Sequence, residues 1–122
     1  HFKRVNDRHG HQCGDYILYE LAQFLKSRLR EYDHIGRYGG EEFMLILPEA
    51  CREHAGKTCN RLRHDVENKI FRFEGKDIHI TVSIGCICKH EEEMLPLDVM
   101  FKKADNSLYQ AKKQGRNKVV LY

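Results

Sequence analysis

The sequence predicts an α/β fold, a layered α+β sandwich with a mixed central sheet flanked by helices. Apolar residues recur every three or four positions in three segments, as they do on amphipathic helices. The pair Gly39-Gly40 separates two short strand-like runs, which is typical of a hairpin. Every second residue of 78–88 is apolar, which is typical of a strand with one buried face. A chain of 122 residues can bury enough apolar surface for one domain, so we expect a single domain over residues 1–122.

The first half of the chain predicts a helix, a hairpin and a second helix. Residues 16–30 carry their leucines on one face, which indicates a helix, and Asp15 is a candidate N-cap for it. The hairpin strands are expected at 34–38 and 42–47, because a Gly-Gly pair allows the positive φ angles of a tight turn. A second apolar helical face covers residues 55–70.

The second half predicts a strand, a helix and a short final strand. The strand at 78–88 has the most regular pattern in the chain. A helix is expected to begin at Pro96 and to end at Gly115, because proline suits a first turn and glycine a helix stop. Residues 119–121 form the last predicted strand. Helices and strands therefore alternate around an antiparallel hairpin, which makes the expected sheet mixed.

The charge balance argues against two classes of partner. There are 21 Lys and Arg against 18 Asp and Glu, a net charge of +3, and the two signs are interspersed. Such a surface offers no extended basic platform for nucleic acid. The longest apolar run, residues 43–47, is far shorter than the ~20 residues that cross a bilayer. We therefore expect no nucleic-acid partner and no membrane contact by this domain.

Cysteine and histidine spacing argues against a disulfide framework and a zinc site. The five cysteines are odd in number and form no C-x-x-C pair. The eight histidines never fall four residues apart, as zinc ligands on a helix do. We interpret the cysteines as reduced thiols of a cytosolic protein.

The hairpin is the first candidate site. Gly39 and Gly40 leave the backbone uncovered, so an anionic ligand can approach closely, and Glu41 and Glu42 stand beside them. Mg²⁺ prefers such hard oxygen ligands and commonly binds between carboxylates and substrate phosphates. The hairpin is thus a candidate site of phosphoryl or nucleotidyl transfer. The alternative is a solubilising surface turn.

Two further groups of polar residues are candidates for nucleotide binding. Asn6, His11 and Asp15 surround a glycine-punctuated stretch, and an amide and a carboxylate together can match the edge of guanine. Their structural alternatives are a turn residue for Asn6 and a helix N-cap for Asp15. Lys112 and Arg116 place two cations around a helix stop. Lys112 could simply offset the helix dipole there, whereas Arg116 lies beyond the stop.

Five motifs follow one another along the chain. They are Phe2-Lys3-Arg4-Val5-Asn6-Asp7, Gly10-His11 with Gly14-Asp15, Arg37-Tyr38-Gly39-Gly40-Glu41-Glu42-Phe43, Thr81-Val82-Ser83-Ile84-Gly85, and Ala104-Asp105 with Tyr109-Gln110-Ala111-Lys112 and Gly115-Arg116-Asn117. In this order and spacing they resemble the GGDEF family of diguanylate cyclases over essentially the whole chain. Glu41 stands where the family name has Asp, a variant common in active members that keeps the charge.

The resemblance implies a palm-like nucleotidyl-cyclase fold and a homodimer that condenses two GTP into cyclic di-GMP, releasing pyrophosphate with Mg²⁺ or Mn²⁺ as cofactor. Glu41 would be a metal ligand and the proton acceptor for the attacking 3′-hydroxyl, and Glu42 a further catalytic acid near the metals. The implied substrate-binding residues are Asn6, His11 and Asp15 around guanine; Lys3, Lys112 and Arg116 on the phosphates; and the backbone of His1, Phe2, Gly39 and Gly40.

A separate motif resembles the family's product-inhibition site. It consists of Arg30-Glu31-Tyr32-Asp33, with five residues between Asp33 and Gly39, and Arg61 matches a secondary arginine of that site. Arg30 could fork to phosphate or guanine, and Asp33 could accept from guanine. The alternative is a surface i,i+3 ion pair worth only ~0.2–0.5 kcal/mol.

The family pattern also extends upstream of the sequence. Members carry a first strand that ends in a metal-binding Asp two residues before the position of His1. We therefore expect residues 1–122 to be an N-terminally truncated single domain, weakly active or inactive alone. In the parent protein, membrane-anchored or not, an upstream sensor or receiver domain would drive this cytoplasmic domain.

Two other functions compete with the enzyme. One is a catalytically silent GGDEF domain that binds GTP or cyclic di-GMP as a regulatory module. The other is a nucleic-acid-binding palm domain, which would need an extended basic groove with stacking aromatics. The presence of Glu41, Glu42, Lys112 and Arg116 favours the enzyme.

Overall fold

The computed structural model describes residues 2–89 and 95–122, so His1 lies outside the described residues. Its helices are α1 Phe2–His9, α2 His11–Ser27, α3 Arg52–Glu67 and α4 Leu97–Lys113. Its strands are β1 His34–Gly39, β2 Glu42–Ile46, β3 Phe71–Phe73, β4 Lys76–Ile78, β5 Ile84–Cys86 and β6 Val119–Leu121. Helices and strands are mixed along the chain, as predicted.

Strand pairing is both antiparallel and parallel. In the described residues, β1 pairs with β2 and β3 with β4 in antiparallel sense, and β5 pairs with β6 in parallel sense. These pairs are three separate two-stranded sheets, whereas the sequence predicted one continuous mixed sheet.

The predicted strand at 78–88 is wrong in extent. Ile78 ends β4, residues 79–83 form no strand, and only Ile84–Cys86 form β5. Glu74 and Gly75 take positive φ angles of 50° and 77° and turn the chain back on itself. Phe71 therefore pairs with Ile78, and both are buried. The alternating pattern thus spans a hairpin strand, a linker and a second strand.

The described residues pack in two compact units. The first comprises His1–Pro48 and Lys69–Ile80 and contains α1, α2 and β1 to β4. Its core is the apolar face of α2, which packs on α1, β1 and β3. The buried residues of α2 are Cys13, Gly14, Ile17, Leu18, Leu21 and Leu25. This face was predicted, but the helix begins earlier, at His11.

The second unit comprises Glu49–Asn68 and Thr81–Tyr122. In it, α3 and α4 both pack against β5 and β6. Gly85 of β5 is pressed against the backbone of α4, where a Cβ would collide with the Leu108 nitrogen and the Ala104 carbonyl oxygen. The sequence contains a glycine here because no side chain fits between strand and helix. The prediction of one domain over 1–122 stays a prediction.

Both predicted ends of α4 are confirmed. Pro96 occupies its N-cap and Gly115, with φ 108°, follows its C-cap. In the part of the chain that the structure describes, no helix is both long and apolar enough to cross a membrane.

Candidate active site

The β1–β2 hairpin brings the predicted acids to a tight tip, defined here as Gly40 and Glu41. Gly39 is the last residue of β1 and pairs with Glu42, and the register shifts just before it. Of the two glycines, Gly40 alone has a positive φ, 53°, so it is the residue of the pair that supplies the positive φ of the turn. Glu41 is exposed and Glu42 is half-buried at the start of β2.

Arg37 braces this tip from within β1. Its Nε donates a hydrogen bond of 2.8 Å to the Gly40 carbonyl oxygen. That bond ties the backbone of Gly40, the residue before Glu41, to β1. The predicted hairpin is confirmed, and Arg37 is a structural reason for its shape that the sequence pattern did not identify.

A cavity of about 380 Å³ lies between α2 and this hairpin, within the first unit. Asp15 and Lys26 of α2 line it together with Arg37 and Phe43 of the hairpin. Its apolar wall, which includes Leu18, suits a flat ring, and its charged groups can contact polar edges or anions. Asp15, the predicted guanine-binding carboxylate, therefore lines the same cavity as the hairpin that carries Glu41 and Glu42.

Asp15 does not cap α2, which corrects one prediction. It is the fifth residue of the helix, whose N-cap is Gly10 with φ 90°. Because Asp15 and His11 are four residues apart in a helix, they share a face one turn apart. Both side chains are exposed. Because Asp15 lies inside the helix and not at its N-cap, capping does not account for this residue.

Asn6 belongs to α1 and lies against the start of α2. A Cβ on Gly14 would collide with the Asn6 side-chain oxygen, so Gly14 makes room for that amide. The turn-residue alternative for Asn6 is wrong, because it is an interior residue of α1. Phe2 and Lys3 occupy the first turn of α1, and Lys3 is exposed. The predicted backbone contact at His1 lies outside the described residues.

The predicted phosphate cations belong to the second unit. Lys112 is in the last turn of α4, and Arg116 follows the helix with a left-handed φ of 63°. Arg116 donates its backbone N–H to the Ala111 carbonyl oxygen at 3.0 Å, which closes the helix end. Both side chains are half-buried.

Asn117 secures this left-handed segment, a role that sequence reasoning missed. Its side chain accepts from Arg63 at 3.1 Å and donates to Glu67 at 2.9 Å, and its N–H donates to the Ser83 hydroxyl at 3.1 Å. The bonds from Asn117 and Arg63 lower the pKa of Glu67. The only available signal was the position of Asn117 after Gly-Arg, since asparagine tolerates positive φ.

The product-inhibition motif forms a tight ion pair. Arg30 Nη2 donates to Asp33 Oδ1 at 2.9 Å and to the Pro48 carbonyl at 3.1 Å, and the Arg30 N–H donates to Asp33 Oδ2 at 2.8 Å. The guanidinium also lies 4.5 Å from the centre of the Tyr32 ring. The Asp33 side chain is only 2% exposed and that of Arg30 34%, and their hydrogen bond raises the pKa of Arg30.

The structural alternative for this motif is therefore present in the structure. The pair is better bonded than a surface i,i+3 pair, and it holds the Arg30 side chain in one orientation. Arg61 is exposed on α3 in the second unit. Its predicted part in product inhibition stays a prediction.

Glu41 and Glu42 of the hairpin could bind the predicted Mg²⁺ only together with further oxygen ligands. Among residues 2–89 and 95–122, no group of three His, Cys, Asp or Glu could hold a metal ion. Two carboxylates completed by phosphate oxygens are nevertheless a usual set for Mg²⁺. Glu41 and Glu42 are thus suited to a cation that arrives with a nucleotide.

Comparison with known proteins identifies the family. The family model described as "Diguanylate cyclase, GGDEF domain" matches residues 1–118. The chain therefore belongs to the GGDEF family, and its fold is the palm-like fold of that family.

Similar proteins carry the same description. Diguanylate cyclase A of Treponema denticola is 38% identical over 120 residues, which is 98% of this chain and 32% of that protein. The GGDEF domain of DgcB from Caulobacter crescentus, solved in complex with c-di-GMP, superposes with a TM-score of 0.90 at 31% identity, covering 99% of this chain and 71% of that one. The active GGEEF domain of a Vibrio cholerae diguanylate cyclase superposes with a TM-score of 0.87 at 30% identity, covering 99% and 76%. The chain spans about a third of the length of the first of these relatives.

Proposed function

We propose that this domain is a diguanylate cyclase, which condenses two GTP into cyclic di-GMP and releases two pyrophosphates. One observation carries the proposal: in a chain of the GGDEF family, the cavity walled by Asp15 is also walled by the hairpin that bears Glu41 and Glu42. The Vibrio cholerae relative described as active has the GGEEF form of the motif, which supports Glu41 as a functional equivalent of Asp.

Guanine recognition is assigned to the first unit. The Asp15 carboxylate would accept from N1 and N2 of guanine, and the amide of Asn6 would supply a further edge contact, with His11 nearby. Lys3, Lys112 and Arg116 would neutralise phosphates, as would backbone N–H groups at the start of α1. The uncovered backbone of Gly39 and Gly40 permits close approach of the nucleotide.

In each chemical step, one phosphorus–oxygen bond forms, one breaks and one proton is transferred. The 3′-oxygen of one GTP attacks the α-phosphorus of the other, the bond to pyrophosphate breaks, and the 3′-hydroxyl proton passes to the Glu41 carboxylate. Repeating the step closes the ring. Glu41 and Glu42 would hold Mg²⁺ or Mn²⁺, which supplies charge neutralisation on the phosphates and acidifies the 3′-hydroxyl. Each subunit of a homodimer would present one GTP.

The first experiment separates guanine recognition from catalysis. Asp15→Asn should weaken GTP binding by about ten- to hundredfold, because it removes a charged acceptor of two hydrogen bonds. The matched control is Glu20→Gln, which changes a carboxylate on the same helix outside the cavity. Calorimetry with GTP and Mg²⁺ gives both affinities. Equal losses in the two variants would contradict the assignment of Asp15.

The silent alternative predicts a different combination of results. A purely regulatory domain would bind GTP or cyclic di-GMP, and Asp15→Asn would still weaken its GTP binding, yet it would form no product. Nucleotide products separated by chromatography distinguish the two functions, since only the cyclase yields cyclic di-GMP.

Product inhibition is a finer part of the proposal. Cyclic di-GMP would bind at Arg30 and Asp33, with Arg61 as a further contact, and inhibit turnover without competing with GTP. The held Arg30 guanidinium supports this, because a pre-ordered donor loses less entropy on binding. Calorimetry should show that Arg30→Ala weakens cyclic di-GMP binding at least tenfold. Arg72→Ala, which removes an exposed arginine paired with Asp77, is the control and should bind as wild type.

Partners and location follow from the same proposal. We expect an upstream sensor or receiver domain to bring two copies together in the cytoplasm, where GTP is available. Sedimentation of the full-length natural protein, with and without GTP, tests the dimer.

A further inference from the structure

The turn after α4 has a backbone conformation that its sequence does not favour. Gly115, Arg116 and Asn117 have φ angles of 108°, 63° and 49°, so three consecutive residues have positive φ. Glycine adopts such angles freely and asparagine tolerates them, whereas the Cβ of arginine crowds the following carbonyl oxygen. The surrounding structure must therefore hold Arg116 in this conformation.

Asn117 ties this turn to α3. Its side-chain oxygen accepts a hydrogen bond of 3.1 Å from Arg63 Nη1, and its Nδ2 donates one of 2.9 Å to Glu67 Oε1. Arg63 and Glu67 are themselves joined by an ion pair of 2.9 Å, one helical turn apart. The Asn117 backbone N–H also donates to the Ser83 hydroxyl at 3.1 Å. The Asn117 amide thus bridges both members of an ion pair on one helix.

The bonds of Asn117 are not needed to end α4. The backbone N–H groups of residues 114–116 already donate to carbonyl oxygens of α4, which closes the helix around its terminal glycine. The Asn117 bonds act beyond this closure and fix the backbone next to Arg116, which limits the directions open to the Arg116 side chain. The structural alternative is that Asn117 only fastens β6, which begins two residues later.

We propose that Asn117 is a positioning residue that holds Arg116 ready for the phosphates of GTP. The inference rests on the proposed function, in which Lys112 and Arg116 neutralise those phosphates. A long arginine side chain loses conformational freedom when it binds an anion, and that loss weakens binding. A turn that is already fixed through α3 reduces the loss. Asn117 therefore contributes to GTP affinity without touching the nucleotide.

The test measures the affinity of the full-length natural protein for a GTP analogue that has a methylene group between its α- and β-phosphates. This analogue keeps the triphosphate charge and does not release pyrophosphate. With Mg²⁺ present, calorimetry should show that Arg116→Ala weakens binding by about ten- to hundredfold, because it removes a charged hydrogen-bond donor. Asn117→Gly should weaken binding by about three- to tenfold, the cost of ordering one long side chain. Glycine accepts the left-handed angles, so this loss reports the bonds of the amide and not backbone strain.

A double variant separates positioning from a merely structural role. If Asn117 acts through Arg116, Asn117→Gly should have no further effect on affinity in a protein that already carries Arg116→Ala. Equal effects of Asn117→Gly in both backgrounds would overturn the inference, and so would wild-type affinity of the single Asn117→Gly variant. Wild-type affinity of Arg116→Ala would overturn the assignment of Arg116 to the phosphates, and this inference with it.

A rescue pair restores the contact with its polarity reversed. In Asn117→Asp the new carboxylate faces that of Glu67, so binding should weaken as in Asn117→Gly. Adding Glu67→Gln lets an amide at position 67 donate to the carboxylate at position 117, which still accepts from Arg63, and affinity should return close to that of the wild type. A pair that melts with the wild type but binds as weakly as Asn117→Asp would contradict the proposal. The matched control is Asn68→Gly, the same substitution at the C-cap of α3, where the side chain bonds to His64, and it should bind the analogue as the wild type does.

Discussion

Substituting Gly85 by alanine tests how tightly β5 packs on α4. The new Cβ would lie 2.7 Å from the Leu108 Cα and closer still to the Leu108 nitrogen and the Ala104 carbonyl oxygen. These atoms belong to helix backbone, so no rotamer change can relieve the clash. The strand must move away from the helix, which loosens packing on both.

The size of the effect follows from two opposing terms. Forcing a methyl group into a packed site costs ~1–3 kcal/mol. Replacing glycine in a strand restricts the unfolded chain and returns about 0.5–1 kcal/mol. Because the clash is with backbone, we expect the first term at its upper end and a net loss of about 2 kcal/mol. At roughly 3–6 °C per kcal/mol for a chain of this size, the melting temperature should fall by roughly 6–12 °C.

Thermal denaturation followed by circular dichroism measures this loss. Gly36→Ala is the matched control: Gly36 lies in β1, has no positive φ, and has nothing within 4 Å of its added Cβ. Its melting temperature should stay close to that of the wild type. A Gly85→Ala protein that melts with the wild type would refute the close packing of β5 on α4.

Two further substitutions test other contacts. Because hydrogen bonds hold the pKa of Glu67 below its ordinary value of 4.5, its stabilisation is present above that pH and is lost on acidification. Urea denaturation should therefore show Glu67→Gln destabilised at pH 7, with a difference from wild type that shrinks as the pH is lowered below 4.5, whereas Glu53→Gln, which breaks only an exposed pair with Lys57, should change little at any pH. In Gly14→Ala the new methyl group meets the flexible Asn6 side chain, and the gain in helix propensity of about 1 kcal/mol offsets the strain. Calorimetry should then show weaker GTP binding at a nearly unchanged melting temperature, and unchanged GTP affinity would argue against Asn6 as a guanine contact.

The helices and the hairpin of the site could be predicted because their signals are local. The apolar face of α2 and the turn at Gly40 depend on residues a few positions apart. The ion pair of Arg30 and Asp33 was offered from its i,i+3 spacing only as the structural alternative for that motif, and its burial was not foreseen. The start of α2 was not foreseen either, because Gly10 serves as its N-cap without a side-chain hydrogen bond and the polar first turn has no apolar periodicity.

Non-local contacts account for what the sequence could not reveal. The alternation from Ile78 to Cys88 does not show that Phe71 pairs with Ile78 and that the strand then breaks. Gly14 and Gly85 are recognisable in the sequence only as parts of the family motifs. The structure shows why glycine is needed: a Cβ on Gly14 would collide with Asn6 of α1, and a Cβ on Gly85 would collide with the backbone of α4. The cavity between α2 and the hairpin also depends on tertiary packing.

The most direct test of the proposed cyclase is the product formed by the full-length natural protein from GTP and Mg²⁺. The wild type and the exposed-site control Glu53→Gln should convert GTP into cyclic di-GMP and pyrophosphate, as quantified by chromatography. Glu41→Gln keeps the shape of the hairpin tip but removes the metal-binding charge and the proton acceptor, so its rate should fall by about 10²–10⁴. Absence of cyclic di-GMP from the wild type, or equal rates in wild type and Glu41→Gln, would contradict the proposed catalytic role of this hairpin.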